Sequence, residues 1–357
     1  MVSCTATIKY KGPVPDRAFV FLPREIIMDS LLLGEPFSPS FFFRNNHIQT
    51  TFGSLHVRAS GKNEMLDAAE ENIVGAGDGV RLLGYHSKQK SRKPAGMIII
   101  IHGWEGSSDS TYMLSTGRFF YRLGYEVFRL NLRDHGNSHG LNEGLFHGAL
   151  TEEAASAVRT IAGRQPTLPC YLIGFSLGGN FALRIALKQS LAPIANLKMV
   201  FSISPAIDPY KATLAIDEGP AVYRRYFMAK WKRSLRQKQK CFPDLYNFDS
   251  IMHHKKLMPL TEAIMAWYPQ FNNYREYFNI YTLTGNVLAS LAMPAFIIMA
   301  QDDPAVPVED FYQLPANPLL HVSIQRFGGH CGFIDPFPFG CWYERQIAQL
   351  IAHVESK

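Results

Sequence analysis

The stretch Cys170-Tyr171-Leu172-Ile173-Gly174-Phe175-Ser176-Leu177-Gly178-Gly179 is the most informative in the chain. An apolar run ends in G-x-S-x-G, and Asn180 to Lys188 reads as a helix. A strand, a corner residue and a helix in that order put a serine at the turn between two regular elements. Gly174 and Gly178 stand where a Cβ would strike the chain packed against so tight a corner. Strain at the corner lifts the Ser176 hydroxyl above the sheet, where a base and a substrate can reach it.

Other segments extend this pattern. Met97 to Ile101 is a continuous apolar run, the signature of a buried parallel strand, and it runs into His102-Gly103-Trp104-Glu105-Gly106. Ala295 to Ala300 is another, followed by Gln301-Asp302-Asp303-Pro304. Val322 to Phe327 alternates like a strand and leads to Gly328-Gly329-His330-Cys331-Gly332-Phe333. Singly, His330 reads equally well as a core or capping histidine, and Asp303 as a turn residue. Together they give the chain order serine, acid, histidine, each after a successive strand. Asp302 and Asp208 compete as the acid. Asp303 is preferred because it abuts the Pro304 turn at the usual strand-end offset. A serine hydroxyl is a poor nucleophile at neutral pH, so a base such as His330 and an orienting acid such as Asp303 make it useful for acyl chemistry.

The whole set resembles the YheT-like branch of the α/β-hydrolases, which comprises bacterial esterases and related eukaryotic lipid hydrolases. The resemblance rests on His47-Ile48-Gln49-Thr50, His102 to Ser107, Arg133-Asp134-His135-Gly136, Gly174 to Asn180, Asp302-Asp303-Pro304 and Gly329 to Phe333. The loop after Arg133, Asp134-His135-Gly136-Asn137-Ser138-His139-Gly140, departs from the usual version of that branch. The resemblance implies an α/β-hydrolase fold: a mostly parallel central sheet, helices on both faces and a helical cap insertion. It implies a triad of Ser176, Asp303 and His330, with oxyanion-hole N–H groups from Trp104 and Leu177. The implied function is a serine hydrolase that cleaves carboxylic, acyl or lipid-like esters through an acyl-enzyme, without metal or organic cofactor. Two alternatives use the same residues: acyl transfer to an acceptor other than water, and a ligand-binding relic without turnover.

Residues 1–60 read as an N-terminal arm packed on the core, 61–207 and 293–357 as the core domain, and 208–292 as the mostly helical cap. Lys62 to Asn72 reads as a polar connection, and the sheet is expected to begin at Val80 to Tyr85. Thr111 to Leu123 and Leu150 to Gly163 read as helices, the second opening on Thr151-Glu152-Glu153 in a capping arrangement. Glu126 to Leu132 and Met199 to Ser204 read as strands. Alternating strands and helices imply a parallel sheet covered on both sides.

The 357 residues, 47% of them hydrophobic, suffice for one large α/β domain with an insertion. Five scattered cysteines show neither a disulfide framework nor metal-ligand spacing, and point to a reducing, cytoplasmic setting. The N-terminal segment lacks a signal-peptide apolar region, and no uncharged run is long enough to cross a membrane. Asp134, His135, His139 and His147 fit no common metal pattern. The net charge of +6 is concentrated in Arg224 to Lys240, where eight residues are basic and none acidic. Tyr223, Phe227, Trp231 and Leu235 recur there every fourth residue, a helical stripe. The segment reads as a cap helix with solvated charges, or else as a peripheral contact with an anionic membrane. No nucleic-acid-binding fold accompanies the charge.

Overall fold

The computed structural model describes residues 19–21, 35–55, 59, 61–90, 92–335 and 340–356. Most of the first half of the expected N-terminal arm therefore lies outside the described residues. Nine strands form one sheet among them: β1 Phe19–Phe21, β2 Ala69–Gly75, β3 Arg81–Ser87, β4 Met97–Ile101, β5 Glu126–Leu130, β6 Cys170–Phe175, β7 Leu197–Ile203, β8 Ala295–Ala300 and β9 Leu320–Gln325. Their order is β1-β9-β8-β7-β6-β4-β5-β3-β2. The strands from β5 through β4, β6, β7 and β8 to β9 pair in parallel; β1, β2 and β3 pair antiparallel at the two edges.

Ten α-helices accompany the sheet among the described residues: α1 Asn46–Ser54, α2 Glu64–Asp67, α3 Thr111–Leu123, α4 Thr151–Gly163, α5 Leu177–Leu187, α6 Pro209–Glu218, α7 Ala221–Cys241, α8 Leu257–Ile264, α9 Tyr274–Ile280 and α10 Trp342–Glu355. The strand pleat sends alternate residues to opposite faces. Ile99, Ile101, Leu172, Val200 and Ile297 pack with α4 and α5, whereas Ile98, Ile100, Ile173, Phe201 and Ile298 pack with α3 and α10. The sheet is thus covered on both sides, and β4, β5, β6, β8 and β9 are buried along their whole length. Between β7 and β8, helices α6 to α9 carry a further cluster built on Met228, Leu235, Phe248, Leu260 and Tyr268.

Local readings differ at two places. Lys62 to Asn72 is not a plain connection: it contains α2 and the start of β2, and β2 precedes β3 in the sheet. β2 is an edge strand with Val74 its one buried residue, so its sequence carries little apolar signal. Helix α4 opens after Leu150 without a side-chain cap. The Thr151 hydroxyl instead accepts a hydrogen bond from the Arg184 guanidinium.

Candidate active site

The C-terminal ends of four parallel strands converge on one place, as expected where an open α/β sheet binds ligands. β6 ends at Phe175 and α5 begins at Leu177, which leaves Ser176 alone at the corner with φ 52° and ψ −116°. That conformation is strained for a residue with a Cβ. A Cβ on Gly174 would lie 2.1 Å from the Gly178 carbonyl oxygen, and one on Gly178 2.4 Å from the Ile101 and His102 carbonyl oxygens. The two glycines therefore permit the corner to sit against both its own helix and β4.

The loop after β9 brings His330 over this corner. Its Nε2 lies 3.0 Å from Ser176 Oγ, and its Nδ1 lies 2.8 Å from Asp303 Oδ2. The other oxygen of Asp303 accepts the N–H groups of Ala305 and Val306 at 2.8 and 2.9 Å. With Nδ1–H donating to Asp303, Nε2 is free to accept from the serine hydroxyl. Burial works against a charged imidazole, but the Asp303 carboxylate outweighs it and holds the His330 pKa well above the usual value.

The three candidate acids are separated by this geometry. Asp302 shares the turn with Asp303 but its Oδ1 accepts the Gly329 N–H at 2.9 Å. Burial pushes its pKa up to about 6. Asp208 caps α6, accepting the Lys211 N–H at 2.9 Å, and lies 3.7 Å from the Lys211 ammonium.

The loop after β4 approaches from the other side, where a Cβ on Gly103 would stand 3.1 Å from the Ser176 Cβ. Gly103 N–H donates to the Tyr112 hydroxyl at 3.0 Å, and Glu105 N–H to His135 Nε2 at 3.1 Å. Between them, the Trp104 N–H has no acceptor among the described residues. Leu177 is the first residue of α5, so its N–H has no intrahelical partner. Two buried histidines brace the loop. His102 donates from Nδ1 to Gly103 O at 2.7 Å and accepts the Leu132 N–H at Nε2, 3.1 Å away. His135 donates from Nδ1 to Arg133 O at 2.7 Å. A ring nitrogen that accepts from an amide is unprotonated, and burial lowers the His102 pKa to about 4 and the His135 pKa well below the usual value.

His135 is thus engaged with the backbone, His139 with Ser234 at 2.9 Å and His147 with Gln270 at 2.9 Å. Asp134 pairs with Lys238 at 2.9 Å. No group of three or more His, Cys, Asp and Glu side chains among the described residues could hold a metal ion.

Several supporting residues were not singled out as site candidates in the sequence. Thr50 Oγ1 accepts the His330 N–H at 2.9 Å, and Gln49 Oε1 accepts the Ile334 N–H at 2.7 Å. Helix α1 therefore holds both ends of the loop that carries His330. Ser204 Oγ accepts the Cys331 N–H at 3.2 Å. The segment His47 to Thr50 was visible as a motif; Tyr112 and Ser204 left no local signal.

Two clefts meet at Ser176 and His330. One runs beneath the cap, between Trp104, Phe146, Ile216, Trp231, Ile264 and Tyr268, and has no Asp, Glu, Lys or Arg in its wall. The other opens between α1 and α7, past Leu55, Tyr112, Val222, Tyr226, Lys230 and Glu105. The predicted stripe of α7 forms part of both ceilings. Phe227 stacks on Trp104 with centroids 5.5 Å apart, and Trp231 meets Trp104 edge-on at 5.1 Å. No helix among the described residues is long and apolar enough to cross a membrane.

Comparison with known proteins agrees with this architecture. "Putative esterase YheT" of Escherichia coli (strain K12) is 23% identical over 334 residues, covering 90% of this chain and 94% of the relative. "Monoacylglycerol lipase" of Saccharomyces cerevisiae is 24% identical, covering 71% of this chain and 58% of the relative. "Phospholipase ABHD3" of Bos taurus is 20% identical over 72% of this chain and 61% of the relative. The chain thus spans about six tenths of the length of the yeast and bovine relatives. Among solved structures, the Pyrococcus furiosus esterase Pf2001 superposes with a TM-score of 0.51 at 16% identity, over 80% of this chain and 90% of that one, which speaks to the fold. The Hydrolase_4 family, described as serine aminopeptidase, S33, matches residues 92–317, more than half of the chain. The chain belongs to that family and is a hydrolase of the α/β-hydrolase fold, related to the YheT-like branch.

Proposed function

We propose that the protein is a serine carboxylic-ester hydrolase that acts on acyl or lipid-like esters. The observation that carries this reading is the continuous hydrogen-bonded line from Ser176 through His330 to Asp303, at 3.0 and 2.8 Å, on the wall of an apolar cleft. His330 Nε2 takes the Ser176 proton as Oγ attacks the ester carbonyl carbon. Asp303 holds Nδ1–H in place and stabilises the imidazolium that forms. The carbonyl oxygen becomes an oxyanion, which accepts hydrogen bonds from the Trp104 and Leu177 N–H groups. Losing such a donor typically costs about 3 kcal/mol. The imidazolium gives its proton to the leaving alcohol, and an acyl-Ser176 ester remains. Water, deprotonated by His330, then releases the acid.

The cleft beneath the cap favours an acyl chain over a peptide N-terminus. An aminopeptidase holds a substrate ammonium, and a desolvated ammonium needs a carboxylate; no carboxylate lines that cleft. In the second cleft Glu105 stands in the wall, with burial raising its pKa to about 8. The names of the bacterial, yeast and bovine relatives, an esterase, a lipase and a phospholipase, support the same substrate class.

Chromogenic esters of increasing acyl length, assayed alongside alanine 4-nitroanilide, test the reading. Turnover of esters with little or none of the anilide is expected. Preferential cleavage of the anilide would overturn the ester assignment. Product analysis with a competing alcohol separates hydrolysis from acyl transfer.

A further inference from the structure

Helix α7 presents two different faces. Phe227 and Trp231 look onto Trp104 and the apolar clefts. Lys230, Arg233, Ser234 and Gln237, spaced i, i+3, i+4 and i+7, line a separate polar cavity of about 480 Å³. Its other walls are the loops that follow β4 and β5, with Tyr85 of β3.

Three carboxylates stand in those walls: Glu105, Asp109 and Asp134. Asp134 pairs with Lys238 at 2.9 Å, and Asp109 with Arg129 at 3.1 Å. Lys230 bonds the backbone carbonyl of Glu105 at 3.1 Å and forms no ion pair with its carboxylate. Burial raises the Glu105 pKa to about 8, so the group is mostly neutral at pH 7. The Lys230 ammonium lowers the Glu105 pKa only in part, and neither Lys230 nor Arg233, one turn apart on the helix, stands in an ion pair with a carboxylate among the described residues. Like charges at that spacing repel each other, and a bound anion relieves the repulsion. Arg233 supplies a planar fork suited to two oxygens, and Lys230 a compact charge. Lys230 also lines the cleft that contains Ser176, so cavity and cleft adjoin at this residue.

We infer that the polar cavity between α7 and the loops after β4 and β5 binds a phosphate-like anion through Lys230 and Arg233. The anion is either the charged head of an ester whose acyl group reaches Ser176, or a free phosphate. The site does not require Ser176 to be the nucleophile; the head-group source does rest on the ester-hydrolase reading.

Calorimetric titration of the Ser176→Ala protein with inorganic phosphate and with glycerol 3-phosphate, using glycerol as the neutral control, reads binding without turnover. Both phosphates should bind and glycerol should not. Arg233→Gln, at an exposed position, should weaken binding about tenfold. Lys230→Gln should do the same, and raising the salt to 0.5 M should weaken it further, with ~0.5 M chosen to shorten the screening length below about 5 Å. In the wild-type protein, kcat/KM for 1-butanoylglycerol and for its 3-phosphate separates the two sources. A preference for the phosphorylated ester that falls about tenfold in Arg233→Gln assigns the anion to the substrate head. Equal kcat/KM, with phosphate binding intact, assigns a free anion. If neither phosphate binds, or if both variants bind them as well as the parent, the site does not exist. If neither ester is turned over, the ester-hydrolase reading fails while the calorimetric result stands.

Discussion

Replacing Asp303 by asparagine removes one charge and keeps the shape of a side chain that is fully buried. Oδ1 of Asp303 accepts two backbone N–H groups, from Ala305 and Val306. An amide NH₂ in that place would face two donors, so the asparagine oxygen must take it. The NH₂ group is then turned toward His330 Nδ1. His330 can meet a donor there only by leaving Nδ1 unprotonated, which moves its proton to Nε2. The ring then donates toward Ser176 Oγ where it has to accept. An inverted tautomer of this kind lowers kcat by about 10⁴ in a serine triad, equivalent to about 5.5 kcal/mol in the barrier. The pH profile moves as well. The Asp303 carboxylate favours the charged imidazole, so its loss lowers the His330 pKa. The neutral ring then appears at lower pH, and its small fraction with the proton on Nδ1 carries the residual activity, so the acid limb of kcat/KM shifts downward. Stopped or continuous assay of a short soluble ester from pH 5 to 9, with thermal melting to check folding, reads both effects; the range follows from the usual histidine value of about 6.5. Asp302→Asn and Asp208→Asn, which touch neither His330 nor Ser176, should stay within a few fold of the parent. A loss below tenfold in Asp303→Asn, or an unmoved acid limb, would show that Asp303 does not set the His330 tautomer.

Other consequences concern stability and the cap. Folding raises the Asp302 pKa to about 6, so the native state binds more protons than the unfolded chain and stability falls as pH rises from about 4 to 6. Asp302→Asn should remove that penalty, raising stability above pH 6 by at most about 3 kcal/mol, with the gain fading below pH 4 in denaturant titrations; an equal gain at both ends would contradict the sign. Lys238 is fully buried in its pair with Asp134, so Lys238→Met should cost about 3–5 kcal/mol and lower Tm. Because the apolar stripe of α7 packs inward, any binding to anionic vesicles should be electrostatic: present at low salt, absent at high salt, and reduced by replacing Arg225, Lys232, Arg233 and Arg236 with glutamine. Co-sedimentation that survives high salt would point to apolar anchoring.

The parts of the fold that sequence conveyed were those with no polar face to obscure them. β4, β6 and β8 are buried on both sides and read as unbroken apolar runs, and the corner glycines around Ser176 are required by backbone contacts that no side chain tolerates. β2 was illegible because an edge strand exposes most of its residues. The Pro304 turn favours Asp303 over Asp302 in the sequence, but the reason the two differ, that one carboxylate reaches His330 and the other the Gly329 N–H, lies in where each points after one turn. Lys238 reads as one of eight basic residues in a charged run, but its role depends on Asp134, 104 positions away. The contributions of Thr50, Tyr112 and Ser204 are likewise long-range. Each satisfies a single backbone N–H, through a hydroxyl that is unremarked in its own segment.

The central claim, covalent chemistry at Ser176, is tested most directly by a fluorophosphonate probe followed by mass spectrometry of the labelled peptide. One adduct is expected, on Ser176, and it disappears in Ser176→Ala while the melting temperature stays near that of the parent. Undiminished labelling of Ser176→Ala, or an unlabelled but folded parent protein, would contradict it.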